Sequence, residues 1–299
     1  MKRFISLLLR GLTIKLSNSN NYCLINKVEP VCQASTNQDN TKKKNNDFAE
    51  ILKIHLKKEE ASMNVKLITH TPEPEKVVAA AAKLCYSSAA DIGTILDGLT
   101  QEKSEEFIRH LISVGHSSPL EHISFTFGVE GVSRVLLAEL TRHRIASYSV
   151  RSMRYVSESE FDYVTPKTIK NKHLDGEYAA LIESCRQLYD KMVKAGVPKE
   201  DARMILPNST HTRIIFTMNL RSLLNFLSLR ECTRAQWEIR EMANKIAEIC
   251  KEKFPVLFST AGASCVNRGY CPEGDKSCGI APTMEQLHEA WRMQHSHIH

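Results

Sequence analysis

The chain has 299 residues, 42% of them hydrophobic and 25% charged, enough to bury a sizeable core and ordinary for a soluble globular protein. Nine cysteines in a chain of this size argue against a secreted disulfide scaffold and for a reducing, cytoplasmic setting. The net charge of +6 lies almost wholly in residues 1–62, which hold 11 Lys+Arg against 6 Asp+Glu; the remaining 29 against 28 excludes a broad basic surface for nonspecific nucleic-acid binding.

Residues 1–62 form a segment apart, with eight asparagines mixed among Lys, Ser and Thr, and such a composition predicts disorder. Three readings of it stay open: an organelle transit peptide, a functional disordered arm, and a translation start at Met63. Lys58-Glu59-Glu60 is compatible with a purine-rich ribosome-binding stretch just upstream of that methionine. No apolar run reaches the ~18–20 residues of a membrane span, and Arg10 cuts short the apolar run Phe4–Leu9.

From Met63 the pattern mixes strands and helices. Asn64–Thr69 predicts a first strand, Lys76–Cys85 and Ser104–Val114 helices. Ile123, Phe125, Phe127 and Val129 alternate with small or polar residues, the period of a strand. Gly131-Val132-Ser133 offers a turn and an N-cap for a helix carrying Val135, Leu136 and Leu140. Tyr178, Leu181, Ile182, Cys185, Leu188, Tyr189, Met192 and Val193 make a helical stripe, ended by Gly196 and Pro198. Ile214–Met218 suggests a strand, Ser222–Leu229 a helix, and Gln236–Phe254 a long amphipathic helix. Without regular βαβ units or internal repeats, the expectation is an α+β fold.

Three segments concentrate polar chemistry. Arg142–Tyr155 carries four arginines, a histidine and three serines after an apolar helix, a set suited to a polyanion because the guanidinium fork matches phosphate and carboxylate oxygens. A solvated basic loop is the plainer reading. Gly115–His122 reads as a helix C-cap and turn as readily as a site. In Asn219–Arg230, Arg221 and Asn225 share a helix face and Arg230 ends the helix, where capping alone would suit it.

Taken together, these segments resemble the flavin-dependent thymidylate synthases, the ThyX family. Arg142-His143-Arg144, seven residues and Ser152 match the family's RHR-x7-S pattern, continued by Met153-Arg154-Tyr155. Gly115-His116-x-Ser118-Pro119-x-Glu121-His122 is similar to its upstream motif. Asn219-x-Arg221-Ser222, Asn225-Phe226, Leu229-Arg230 and Ala235–Ile239 are similar to its downstream one, and Pro198-x-Glu200-x-Ala202-Arg203-x-x-Leu206-Pro207 also matches. The resemblance spans roughly residues 64–260.

The resemblance implies a ThyX-type fold, a mostly antiparallel central sheet flanked by helices, and reductive methylation of dUMP to dTMP. FAD would be the cofactor, 5,10-methylenetetrahydrofolate the carbon donor and NADPH the reductant. It implies FAD contacts at His116, Ser118, Arg142, His143, Arg144, Asn219, Leu220, Arg221 and Asn225. It implies dUMP contacts at Glu139, Arg142, Val150, Arg151, Ser152, Met153, Arg154, Arg203 and Arg230, with Arg230 catalytic. A homotetramer with sites shared between subunits is implied, with neither nucleic acid nor membrane as partner. Glu139 and Val150 depart from the family's commoner residues. Ser152 reads as a ligand-binding hydroxyl, since no adjacent base is evident to activate it. The expected organisation is 1–62 extension, 63–260 catalytic domain and 261–299 tail. In the tail, Cys265, Cys271 and Cys278 are spaced too widely for the usual zinc pairs, and no metal is expected. The competing class is a noncatalytic nucleotide- or RNA-binding protein built on the same arginines.

Overall fold

The structure is a computed structural model and describes residues 62–88 and 91–295. The expectations for residues 1–61 lie outside the described residues. Four strands, β1 (Asn64–His70), β2 (Ser124–Ser133), β3 (Ser147–Val150) and β4 (His211–Asn219), form one antiparallel sheet in the order β1-β2-β4-β3. The helices are α1 (Pro74–Leu84), α2 (Ile92–Asp97), α3 (Gln101–Ser113), α4 (Arg134–Leu140), α5 (Lys167–Asn171), α6 (Asp175–Lys194), α7 (Lys199–Ala202), α8 (Leu220–Arg230), α9 (Trp237–Lys253), α10 (Ser264–Arg268) and α11 (Met284–His295). This is the α+β arrangement that the sequence implies.

The period of two sets the sheet's buried face. Phe125, Phe127 and Val129 of β2 and Ile214, Phe216 and Met218 of β4 are all buried. Phe127 and Phe216 are register partners, with stacked rings 5.6 Å apart. Across the other face, the hydroxyls of Thr126 and Thr217 meet at 2.9 Å. The β2–β4 register slips between Glu130 and Val132, where Gly131 has φ 72°, so a glycine makes the bulge that bends the end of β2 into α4. Leu136 and Leu140 of α4, Leu223, Phe226 and Leu227 of α8, and Met242, Ala243 and Ile246 of α9 close one core with the sheet. Phe254 and Phe258 then pack edge-on to Phe125 at 5.3 and 5.2 Å.

Two helices end on glycines in the left-handed region. At the end of α3, Gly115 has φ 76°, His116 N–H donates to Leu111 O and Gly115 N–H to Ile112 O, a Schellman closure. Gly196 and Val197 close α6 in the same way. The stripe on α6 is only partly covered: Ile182 and Tyr189 are buried, whereas Leu181 is 62% and Leu188 43% exposed. No helix of the described residues is long and apolar enough to cross a membrane.

Candidate active site

Ser133 caps α4: its Oγ accepts from Leu136 N–H at 3.1 Å and donates to Glu238 Oε2 at 2.5 Å, while its own N–H donates to Glu238 Oε1 at 2.6 Å. Glu238 is buried, and burial pushes its pKa up against the lowering effect of the Ser133 hydrogen bonds. This α9 carboxyl fixes the start of α4 and therefore the Arg142–Arg144 turn at its end. The Tyr148 hydroxyl reaches the main-chain oxygens of Leu140 at 2.9 Å and His143 at 2.7 Å, pinning β3 to the same turn. Burial pushes that phenol up to about 12, so it stays a donor.

The turn opens on a cavity of about 1130 Å³. Arg142, His143 and Arg144 line one side; Asn219, Arg221, Asn225 and Arg230 of the β4–α8 segment line another. Asn219 also caps α8, its Oδ1 accepting from Ser222 N–H at 2.8 Å. Arg221 meets Glu121 at 2.5 Å, which ties the turn after α3 to the cavity rim. Arg230 Nε donates to His143 Nε2 at 3.0 Å, and its Nη1 pairs with Glu139 Oε2 at 2.9 Å. His143 is depressed to about 4, first by burial and then by the Arg230 and Arg142 charges. Its ring is edge-on to Phe226 at 5.0 Å.

A second group of the expected residues does not line this cavity. Arg154 pairs with Glu200 at 2.6 Å, and Arg203 Nε donates to the main chain of Glu200 at 3.0 Å. Arg151 faces Glu158 at 3.3 Å. Glu158 is buried, and burial raises its pKa against the opposing charges of Arg151, Arg134 and Arg213. Ser152 Oγ accepts from Arg154 N–H at 3.2 Å; Val150 ends β3 opposite Ile214. Met153 is 8% and Leu220 0% exposed, so either meets a ligand chiefly through its main chain, and the Leu220 N–H is already given to Ile123 O. His116 and Ser118 are exposed on the turn after α3, outside the cavity lining.

A sequence model of the thymidylate synthase complementing protein family matches residues 66–256. The chain belongs to that family. A flavin-dependent thymidylate synthase of Clostridium tetani (strain Massachusetts / E88) is 46% identical over 243 residues, covering 76% of this chain and 97% of that protein. The enzyme of the same name from Geobacter sulfurreducens (strain ATCC 51573 / DSM 12127 / PCA) is 43% identical over 228 residues, covering 75% and 97%. That of Thermococcus onnurineus (strain NA1) is 41% identical over 222 residues, covering 71% and 90%.

The cavity suits the flavin of this family. Its volume, about 1130 Å³, lies just above the ~300–1,000 Å³ usual for small-molecule sites. Among the described residues, neither the Arg142 nor the Arg144 side chain makes a hydrogen bond or ion pair, so two guanidinium forks at its wall remain for a phosphate-bearing ligand. Sequence reasoning missed a further part of the lining, made by Cys232, Thr233 and Arg234 with Ser264, Cys265, Cys271, Lys276 and Cys278. The Ser264 hydroxyl donates to Ser228 O at 3.1 Å and Arg234 pairs with Glu273 at 2.5 Å, which seats the tail on the end of α8. Hydrogen bonds to Thr233 and to the Ile280 main chain lower the Cys278 thiol. No group of three or more His, Cys, Asp or Glu able to hold a metal ion occurs among the described residues.

Proposed function

We propose that this chain converts dUMP to dTMP at the cavity, as a flavin-dependent thymidylate synthase with methylenetetrahydrofolate as carbon donor and NADPH as reductant. The observation that carries the reading is the convergence on one cavity of Arg142, His143, Arg144, Asn219, Arg221, Asn225 and Arg230. Arg142, Arg144, Arg221 and the Asn219 and Asn225 amides would hold FAD there, with His116 and Ser118 on the adjoining turn. Reduced FAD, when bound, supplies the hydride that completes the methyl group.

The chain's own task is to raise the nucleophilicity of uracil C5. Negative charge that collects at N3 and O4 during attack must be met by fixed donors, and Arg230 is a fixed cation at the cavity wall. Glu139 and Arg142 belong to the same side of the dUMP site. Val150, Arg151, Ser152, Met153, Arg154 and Arg203 form its other part, where the arginines would hold phosphate and ring oxygens. A site split between the cavity and this second surface is the arrangement that a homotetramer with shared sites needs, and the exposed leucines of α6 offer it contact area.

Two measurements test the reading. The purified protein should carry a flavin visible by absorbance; a colourless, flavin-free protein that still binds nucleotides would instead fit a noncatalytic binder. Arg230→Ala should keep its flavin and lose ~100-fold or more in turnover of dUMP to dTMP. Arg230→Lys should also be impaired, because a point charge does not copy the guanidinium fork. A flavin-loaded Arg230→Ala enzyme as fast as the wild type would leave Arg230 as a helix-ending cation only.

A further inference from the structure

Arg230 is held from three directions. A guanidinium carries five N–H groups. Nε donates to His143 Nε2 at 3.0 Å, Nη1 to Glu139 Oε2 at 2.9 Å, and Nη2 to the Glu139 main-chain oxygen at 3.3 Å. One N–H is left on each terminal nitrogen, on a side chain that lines the cavity. Glu139 thus grips the guanidinium with both its side chain and its backbone. The pair is largely shielded, Arg230 being 18% and Glu139 26% exposed, so their mutual charge is less screened than at an open surface. Among the described ion pairs, this is the one that joins α4 to the last residue of α8.

We propose that Glu139 is a positioning residue for Arg230: its carboxylate fixes the guanidinium so that the two remaining N–H groups face the uracil ring, and its charge offsets that of Arg230 toward a ring already ionised. The inference rests on the reading of Arg230 given above. The two parts of the role separate chemically. Holding the guanidinium needs an oxygen acceptor, which glutamine also provides. Offsetting its charge needs the carboxylate, which glutamine lacks. A guanidinium paired with a carboxylate suits the neutral uracil of dUMP, whereas an unpaired one favours a base with an ionised N3. Residue 139 therefore tunes how much of Arg230's charge is reserved for the transition state rather than spent on binding.

The test uses flavin-loaded E139A, E139Q and R230A enzymes, with kcat and KM for dUMP and calorimetric binding of dUMP and 5-fluoro-dUMP, whose N3 proton is the more acidic. E139A should keep its flavin and lose roughly 10- to 100-fold in kcat, with a smaller change in KM, as expected for a displaced reacting group. E139Q should recover most of that kcat and, unlike the wild type, shift its preference several-fold toward 5-fluoro-dUMP. An E139A enzyme at wild-type kcat beside an inactive R230A, or an E139Q no better than E139A, overturns the proposal while leaving Arg230 in place. An active R230A overturns the Arg230 reading and this inference with it. Should E139A lose its flavin, the analogue preference of E139Q decides, and an unchanged ratio overturns the proposal.

Discussion

His143 takes part in the site as a neutral ring. Its Nε2 can accept from Arg230 Nε only without a proton, which assigns the proton of the neutral imidazole to Nδ1. Burial, then Arg230 and Arg142, hold its pKa at about 4 against an ordinary 6.5. The unfolded chain therefore takes up a proton first as pH falls. The stability that His143 contributes is complete above 6.5 and is lost as pH drops from 6.5 toward about 4. The ring resonances should titrate near the lower value in the wild type, and nearer 6.5 in Arg230→Gln, which keeps a donor and drops the charge. A wild-type ring titrating at its ordinary value would contradict the arrangement. Parallel melting curves should show the acid-side loss of stability reduced in His143→Gln, which has no titrating group there.

At the scale of elements, the Arg142–Arg144 turn depends on a cap that one helix provides for another. Glu238 of α9 accepts both donors of Ser133 at the head of α4, and neither residue is open to solvent. Glu238→Ala would leave the Ser133 N–H buried without a partner, so a loss of roughly 2–3 kcal/mol in urea unfolding is expected, and about 1 kcal/mol for Ser133→Ala. Equal stability in all three proteins would show that water or a neighbour replaces the carboxylate. Much of this frame was legible in the sequence, because β2, β4, α8 and α9 are amphipathic and their periods of two and 3.6 report which face is buried. Ser133 was readable as a cap; its partner was not, since Glu238 lies more than a hundred residues away. β3 escaped notice because its four residues, Ser147–Val150, sit within the polar arginine motif. Helix α11 carries a local sign in its sequence: Thr283 and Gln286 cap each other reciprocally, N–H to side chain, at 2.9 and 3.3 Å. In the site, Arg142, Arg144, Arg221 and Arg230 of the motifs line the cavity, whereas Arg151, Arg154 and Arg203 do not. The sequence carried no hint that the cysteine-bearing segment also lines it, because no local pattern records a contact such as Ser264 to Ser228.

For the molecule as a whole, the unfinished surface of α6 is the physical argument for assembly. The chain's own core covers Ile182 and Tyr189 but leaves Leu181 and Leu188 of the same helix in the open. Covering a leucine fully is worth about 1.5–3 kcal/mol, so two such side chains on each of several copies give a substantial gain on association. The site gives a second reason: Arg154 and Arg203 stand with Glu200, away from the cavity that holds Arg142 and Arg230, and dUMP would need both sets. The two arguments meet in one variant, Leu181→Glu with Leu188→Glu. Both positions are exposed within the chain, so each subunit should fold with nearly unchanged circular dichroism and helix content. A buried carboxylate facing a like partner would cost several kcal/mol at the contact, enough to separate the subunits. On the proposed tetramer, sedimentation should show it replaced by smaller species, and dTMP formation should fall at least ~10-fold, since the two parts of the proposed shared site would no longer be brought together. A double variant that stays tetrameric would place the contact elsewhere on the chain; one that dissociates and keeps full activity would show that a single subunit holds the complete site.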